Sequence, residues 1–461
     1  MVLSVNLLSH DDVVKITAEE IVDLKLEKYV MDESGKRPVA ISVIMPTFRK
    51  DDALYDKTVT RIIRKCGNLI DNGVIDELLI AEGSSINDNP DLEFIKSLIT
   101  TATKYCRTFR REVELIQTSA EERQKALQGR HDFSIRTMSQ VDPKMHQILL
   151  DRGILTEADI KCMRRGKGAN LWFSIPVIYG DIICLIDSDI VSFKGHYISG
   201  LCKPILETWK PFHEENEHIV FTKAAYIRKH RNGDNFKIGG RLSRLFGKPF
   251  FQALSKRGIF NGFEQLVYPF SGECVFSRRA INRIQFSNGY DIETSVLCQI
   301  WREYGFHRMS QADFGFFEHI PGTEKHVDDM LREIVVALFY WIKKYGLQKR
   351  VGDTDELLEE YEKLAKAKLP EYEKIALENP DRVRYGPDEM KQDLERIARY
   401  RKLVREGIKQ YANREPKLLR PWSSIKEQLN RVEGYSYRTL KATLQERVNK
   451  FTTDNILSIP E

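Results

Sequence analysis

The chain has 461 residues, a 42% hydrophobic share, and 72 basic against 67 acidic side chains for a net charge of +5. This is the composition of a globular protein with room for one large domain or two ordinary ones, and so small a charge excess gives no argument for nucleic acid. No segment reaches the ~18–20 continuous apolar residues of a membrane span, and the first residues lack the basic-then-apolar pattern of a secretory signal. The seven scattered cysteines contain no Cys-x-x-Cys pair, which argues for reduced thiols in a cytoplasm and against a disulfide frame or zinc site.

In chain order, residues 1–38 are expected to form a helical preface, with a capping-box spacing at Thr17-Ala18-Glu19-Glu20. Ala40–Met45 reads as the first strand, followed by a helix over 55–71. Glu77–Ala81 is the second strand, and a helix near 91–109 precedes a third, Val113–Gln117. Residues 118–165, polar and charged, are expected to be an insertion beside the site. Gly166 opens a helix that leads to the apolar run Ile182–Ile186, a buried strand. Ile219–Tyr226 is a further strand. Strands alternating with helices imply a parallel sheet that binds its ligand along the carboxyl edge, a Rossmann-like α/β class. From about 325 the pattern turns helical, beginning with Val327–Tyr345, and 326–461 is expected to be a helical appendage with solvated Lys/Glu-rich faces.

The Ile182 strand ends in Asp187-Ser188-Asp189. Two carboxylates at the mouth of a buried strand repel unless a cation sits between them. Hard oxygen ligands on a half-open site suit Mg²⁺ or Mn²⁺ bridging to a phosphate, the demand of an enzyme that cleaves sugar nucleotides. Pro46-Thr47-Phe48-Arg49 and Glu82-Gly83-Ser84-Ser85 follow the first two strands, where a base and ribose could lie. Gly166-Lys167-Gly168-Ala169-Asn170 allows close backbone approach and supplies a positive charge at a helix start. Gly239-Gly240-Arg241-Leu242-Ser243 presents a guanidinium fork and a hydroxyl, suited to carboxylate or phosphate. Gly272-Glu273 and Gly289-Tyr290-Asp291-Ile292-Glu293 each place an acid after glycine, either to bind sugar hydroxyls or to cap a helix. His319 follows an apolar segment; a lone histidine is more often structural, though neutral imidazole would be a reasonable third metal ligand.

The order Gly-Lys-Gly-x-x-Leu-Trp, Asp-Ser-Asp, Gly-Gly-Arg, Gly-Glu, Gly-Tyr-x-x-Glu and a late His resembles the retaining GT-A glycosyltransferases, in particular those that transfer glucose or mannose to 3-phosphoglycerate or glycerate. The similarity spans roughly residues 40–345. It implies a GT-A mixed, mainly parallel sheet, with residues 39–190 as the nucleotide-sugar half and 191–325 as the acceptor half. By the resemblance, Asp189 and His319 hold the metal, and Pro46, Thr47, Glu82, Ser85, Lys167, Asp187 and Ser188 line the nucleotide sugar. Glu293 contacts the donor sugar, and Gly240, Arg241 and Ser243 receive the acceptor. Asp189, Glu293 and Lys167 are the candidate catalytic residues.

The expected activity is metal-dependent transfer of a hexose, glucose first, from a nucleotide diphosphate sugar (UDP-glucose) to 3-phosphoglycerate, with retention. Mannosyl transfer, or glycerate as acceptor, is the near alternative. A polyprenyl-phosphate glycosyltransferase would want a membrane-binding tail, and an inactive nucleotide-binding protein would not need Asp187, Asp189, Lys167 and His319 intact. A homodimer is compatible with the sequence.

Overall fold

Seven consecutive residues, Ile41–Thr47, are all buried, which is how a strand covered on both faces reads. Around this strand the computed structural model, which describes residues 14–16, 28–32, 35–163, 166–209, 218–233, 235–412, 415–432 and 436–459, builds one nine-stranded sheet. Its strands are β1 (Val14–Ile16), β2 (Ile41–Thr47), β3 (Glu77–Glu82), β4 (Ile135–Ser139), β5 (Ile182–Leu185), β6 (Phe221–Asn232), β7 (Asn235–Ile238), β8 (Cys274–Ser277) and β9 (Met309–Glu318). They lie in the order β1-β9-β6-β8-β5-β2-β3-β4, with β7 hanging on β6. The pairs β1/β9, β9/β6, β5/β2, β2/β3 and β3/β4 are parallel; β8 is antiparallel to both neighbours, and β7 to β6. The expected mixed, mainly parallel sheet is therefore present.

The helices that matter below are α1 (Ala53–Asp71), α2 (Leu92–Tyr105), α3 (Arg107–Thr118), α4 (Lys167–Ser174), α5 (Ile292–Tyr304), α6 (Glu324–Lys344), α7 (Pro387–Tyr411) and α8 (Tyr437–Leu457). Side chains alternate across β2. Ile41, Val43 and Met45 enter one apolar layer with α1 and α2, and Ile44 enters the other with Trp172 of α4. Helix α1 starts where the Asp52 carboxylate accepts from Leu54 N at 2.7 Å. Among the described residues no helix is long and apolar enough to cross a membrane.

The N-terminal expectation fails where it can be checked. Tyr29–Asp32 and Gly35–Pro38 form an antiparallel hairpin and Val14–Ile16 joins the sheet edge beside β9, so the described parts of 1–38 are strands, not a helical preface. The capping box at Thr17–Glu20 lies outside the described residues.

The third strand is also misplaced. Val113–Gln117 belongs to α3, whose Phe109, Val113 and Ile116 are buried at helical spacing while Leu115 is 44% exposed. A strand would have put Val113 and Leu115 on the same face. The true third parallel strand is β4, inside the supposed insertion 118–165, which is thus an integral part of the sheet.

The C-terminal region is likewise built in. Helix α8 covers the β4 edge, where Thr452 Oγ1 accepts from Thr137 N at 3.0 Å and Asn449 Oδ1 accepts from Arg136 Nη1 at 3.2 Å. Covering an edge removes a row of unpaired backbone groups. Arg136 is itself buried against Glu77, which also accepts from Ser42 Oγ at 2.5 Å and Tyr179 N at 2.9 Å.

Candidate active site

The carboxyl ends of β2, β3 and β5 lie side by side, because these strands are parallel and in register. They bring Pro46-Thr47, Glu82 and Asp187-Ser188-Asp189 to one edge. Since β8 runs antiparallel, the residues just before it, Gly272 and Glu273, reach the same edge from the opposite direction. Helix α4 aims its first residue, Lys167, at this crevice, and α5 brings Glu293 in its first turn.

Two cavities meet there. One, of about 550 Å³, is lined by Pro46, Thr47, Lys167, Asp187 and Ser188. The other, of about 600 Å³, is lined by Arg228, Gly240, Arg241 and Ser243. Asp187, Asp189 and Glu293 border both. Pro46, Thr47, Lys167 and Ser188 thus lie on one side of these three carboxylates, and Gly240, Arg241 and Ser243 on the other.

Lys167 Nζ lies 2.5 Å from Asp187 Oδ1 and 2.9 Å from Glu293 Oε1. Burial pushes the Lys167 ammonium down, but Asp187 and Glu293 outweigh it and hold it well above the ordinary lysine value. Gly272 is needed beside this pair, since a Cβ there would collide with Asp187 and Lys167. Ser188 Oγ shares a 3.0 Å hydrogen bond with the Tyr55 hydroxyl, which burial pushes up to about 12.

His319 Nδ1 lies 3.3 Å from Asp189 Oδ1. The two segments are tied by backbone as well, with Ile320 N donating to Asp189 O at 3.1 Å and Val191 N to Glu318 O at 2.8 Å. Burial alone would raise the Asp189 carboxyl; His319, and further off Arg228 and Lys50, reverse this and hold it well below the usual carboxylate range. On its other side His319 Nε2 faces Glu273 Oε1 at 3.6 Å, and neither atom has a hydrogen-bond partner. Glu273 is fully buried; burial pushes its carboxyl up, and its second oxygen accepts from the Tyr226 hydroxyl at 3.0 Å.

Among the described residues no group of three or more His, Cys, Asp or Glu side chains is arranged to hold a metal. The pair Asp189 and His319 nevertheless fits a hard divalent cation that draws its remaining ligands from phosphate and water. With Nδ1 turned to the cation, the orphaned Nε2–H would point at the orphaned Glu273 oxygen, the usual support for a ligating histidine.

Other sequence-derived residues are placed less simply. Glu82 is fully buried below the crevice, with Oε1 accepting from Ser84 N, and its carboxyl is pushed up to about 7 by burial. Neither Glu82 nor Ser85 lines the cavity of Pro46 and Lys167; it is Ser84 that braces the turn, accepting from Arg49 N at 2.6 Å. Asp291 serves structure, accepting from Ser287 Oγ at 2.5 Å and Ser295 Oγ at 3.1 Å. Gly240 has φ +69°, and a Cβ there would meet the Tyr268 ring at 2.6 Å. Ser243 is buried and accepts from Phe270 N at 3.3 Å. Arg241 borders the cavity it shares with Arg228 but is engaged by Glu324 and by Gly322 O at 2.9 Å.

Sequence reasoning missed Arg228, on β6, whose Nη2 donates to Ile320 O at 3.1 Å beside Asp189. It also missed Lys50, which borders both cavities. The run Arg228-Lys229-His230-Arg231 at the end of an apolar strand was the available signal. No such signal marked Glu389, Gln392 and Arg396 of α7, which wall the cavity of Arg228 and Arg241 from the region read as solvated faces.

No protein-family model matches the chain. It is 27% identical over 184 residues to a glucosyl-3-phosphoglycerate synthase of Petrotoga mobilis, covering 40% of this chain and 53% of that protein. It is 22% identical over 311 residues to the enzyme of the same name from Mycolicibacterium paratuberculosis, covering 66% and 73%. The chain thus spans about half the length of the first relative and about three quarters of the second. Among solved structures it is similar to glucosyl-3-phosphoglycerate synthase from Mycobacterium tuberculosis in complex with Mn²⁺, UDP-glucose and phosphoglyceric acid, at 22% identity and a TM-score of 0.44 over 66% of this chain and 79% of that one. Over about two thirds of its length, then, the chain is similar in sequence to glucosyl-3-phosphoglycerate synthases, at 22–23% identity.

Proposed function

We propose that the protein transfers a hexose, glucose first, from a nucleotide diphosphate sugar to 3-phosphoglycerate with retention of anomeric configuration. The observation that carries this reading is the junction of two cavities at Asp187, Asp189 and Glu293, with Lys167 on one side and Arg228 and Arg241 on the other. A sugar lying across that junction has its diphosphate near Lys167 and its anomeric carbon open to an anionic acceptor. The names of the curated relatives agree with glucose as the transferred sugar and 3-phosphoglycerate as its acceptor.

A Mg²⁺ or Mn²⁺ ion held by Asp189 and His319 would supply charge neutralisation to the departing diphosphate. Lys167 adds a fixed positive charge from the protein side, a preorganised contribution that costs no rearrangement during reaction. Pro46, Thr47 and Ser188 line the nucleotide, and Glu293 faces the sugar while held by Lys167. The acceptor's anion goes to Arg241 and the Gly240 backbone, and Ser243 still has an O–H to donate. The three carboxylates that border both cavities are each engaged: Asp187 and Glu293 by Lys167, Asp189 by His319. We therefore favour front-face attack by the acceptor hydroxyl, with its proton passing to the leaving phosphate as the C–O bond to the diphosphate breaks.

The test is incubation with UDP-glucose, Mn²⁺ and 3-phosphoglycerate, reading UDP release and product mass, with GDP-mannose and glycerate in parallel. Acceptor-dependent release of UDP with a glucosylated product is the expected outcome. UDP binding with no turnover on any pair would overturn the reading in favour of an inactive nucleotide-binding protein, and release only with lipid phosphate in favour of the polyprenyl alternative.

A further inference from the structure

The acceptor cavity has one wall that takes no part in the transfer step. Helix α7 runs along it and presents Arg396 beside Arg241. Both guanidinium groups, and Arg399 one turn further along α7, converge on the carboxylate of Glu324. Arg396 Nε and Nη2 lie 3.2 and 3.0 Å from Glu324 Oε1, and Arg241 and Arg399 donate to the same carboxylate.

The nearby acids do not balance this cluster. Asp393, which accepts from Arg396 Nη1 at 2.9 Å, is shared with Arg244 at 2.5 Å. Asp328 lies 3.3 Å from Arg399. Arg399 Nε has no acceptor. Glu324 is 40% exposed, so its ion pairs are screened by water and individually weak. A phosphate monoester carries about twice the charge of a carboxylate and three acceptor oxygens, and it matches two guanidinium forks better than a carboxylate does.

We propose that Arg396, with Arg241, binds the phosphate of the acceptor, and that the Glu324 carboxylate holds that position until the phosphate displaces it. This rests on the acceptor half of the function proposed above and extends it. The C-terminal helical region becomes a specificity element that selects a phosphorylated acceptor over glycerate.

Calorimetric titration of the full chain, with UDP and Mn²⁺ present, tests this without requiring turnover. Arg396→Gln should weaken 3-phosphoglycerate by roughly ten- to a hundred-fold, the loss of one charge-assisted contact. Glycerate and UDP affinities should be unchanged, and Arg396→Lys should recover part of the loss because it keeps charge without the fork. Glu324→Gln should act the other way, tightening 3-phosphoglycerate several-fold by weakening the competitor. That second arm stands even if Arg396→Gln folds poorly. Wild-type affinity for 3-phosphoglycerate in Arg396→Gln would overturn the inference. So would a Glu324→Gln protein that binds it as weakly as Arg396→Gln, since Glu324 would then be scaffold. Binding that follows both expectations in a protein that transfers no sugar would uphold the phosphate site and overturn the reaction. A wild-type protein that binds UDP but neither 3-phosphoglycerate nor inorganic phosphate would overturn both.

Discussion

Lys167 Nζ sits 2.5 Å from Asp187 Oδ1, joining the first residue of α4 to the acidic turn that follows β5. Glu293 completes the contact from α5 at 2.9 Å. Three elements distant in the chain are thus locked by one ammonium at the seam between the two cavities, and Gly272 is the residue that leaves room for it.

Replacing Lys167 by Met should therefore act twice. It leaves Asp187 and Glu293 facing each other without a counter-charge, which should cost about 1.5–3 kcal/mol of stability. It also removes the fixed positive charge from the donor cavity, so UDP affinity should fall roughly tenfold or more. Denaturant unfolding and UDP calorimetry measure the two effects separately. Unchanged UDP affinity would take Lys167 out of the donor site.

Asp189→Asn should abolish transfer, and it should also cost some stability at neutral pH, because His319, Arg228 and Lys50 favour the ionised carboxylate in the folded protein. His319→Ala should retain some activity but need more Mn²⁺ for half-maximal rate. Activity measured against Mn²⁺ concentration, with and without chelator, distinguishes the roles. Full wild-type activity in excess chelator would exclude a metal at this pair.

Arg241 and Ser243 were paired by the sequence but differ in setting. Arg241 borders the cavity, so Arg241→Ala should raise the KM for 3-phosphoglycerate roughly ten- to a hundred-fold and leave UDP binding intact. Ser243 is buried with its oxygen accepting from Phe270 N, so Ser243→Ala should show up mainly as about 1 kcal/mol of lost stability. A larger KM effect for Ser243→Ala than for Arg241→Ala would reverse these assignments.

Glu82 gives a pH signature. Burial pushes its carboxyl from 4.5 to about 7 in the folded protein. Folding therefore takes up a proton between those values, and this group's contribution to stability falls as pH rises through the window and levels off above about 7. The full difference is worth about 3 kcal/mol at most. Glu82→Gln removes the titration, so its melting temperature should fall less than that of wild type between pH 5 and 8. Parallel melting curves for the two proteins would mean that Glu82 is already ionised at pH 5.

Much of the site was legible in the chain because its groups sit at strand ends and helix starts. Asp187 and Asp189 follow an apolar run too short for anything but a buried strand, and Lys167 sits between two glycines at a helix start. Local pattern suffices there, because the parallel sheet brings successive strand ends to one edge whatever else the fold does. The third strand was not legible in the same way. Val113–Gln117 alternates well enough to pass for a strand, and only the burial of Phe109, Val113 and Ile116 on one helical face decides otherwise.

The sequence by itself determined the α/β class, the carboxyl-edge crevice and the acid, lysine and glycine groups that occupy it, since these depend on periodicity and residue chemistry over a few positions. The tertiary structure alone decided that β8 runs antiparallel and delivers Glu273 behind His319, that Glu82 lies beneath the crevice instead of in it, and that α7 walls the cavity of Arg228 and Arg241 with Arg396. Each of these is a long-range packing outcome. A buried carboxylate and a lining arginine look the same in sequence as a solvated helix face, and only the element packed against them sets which they become.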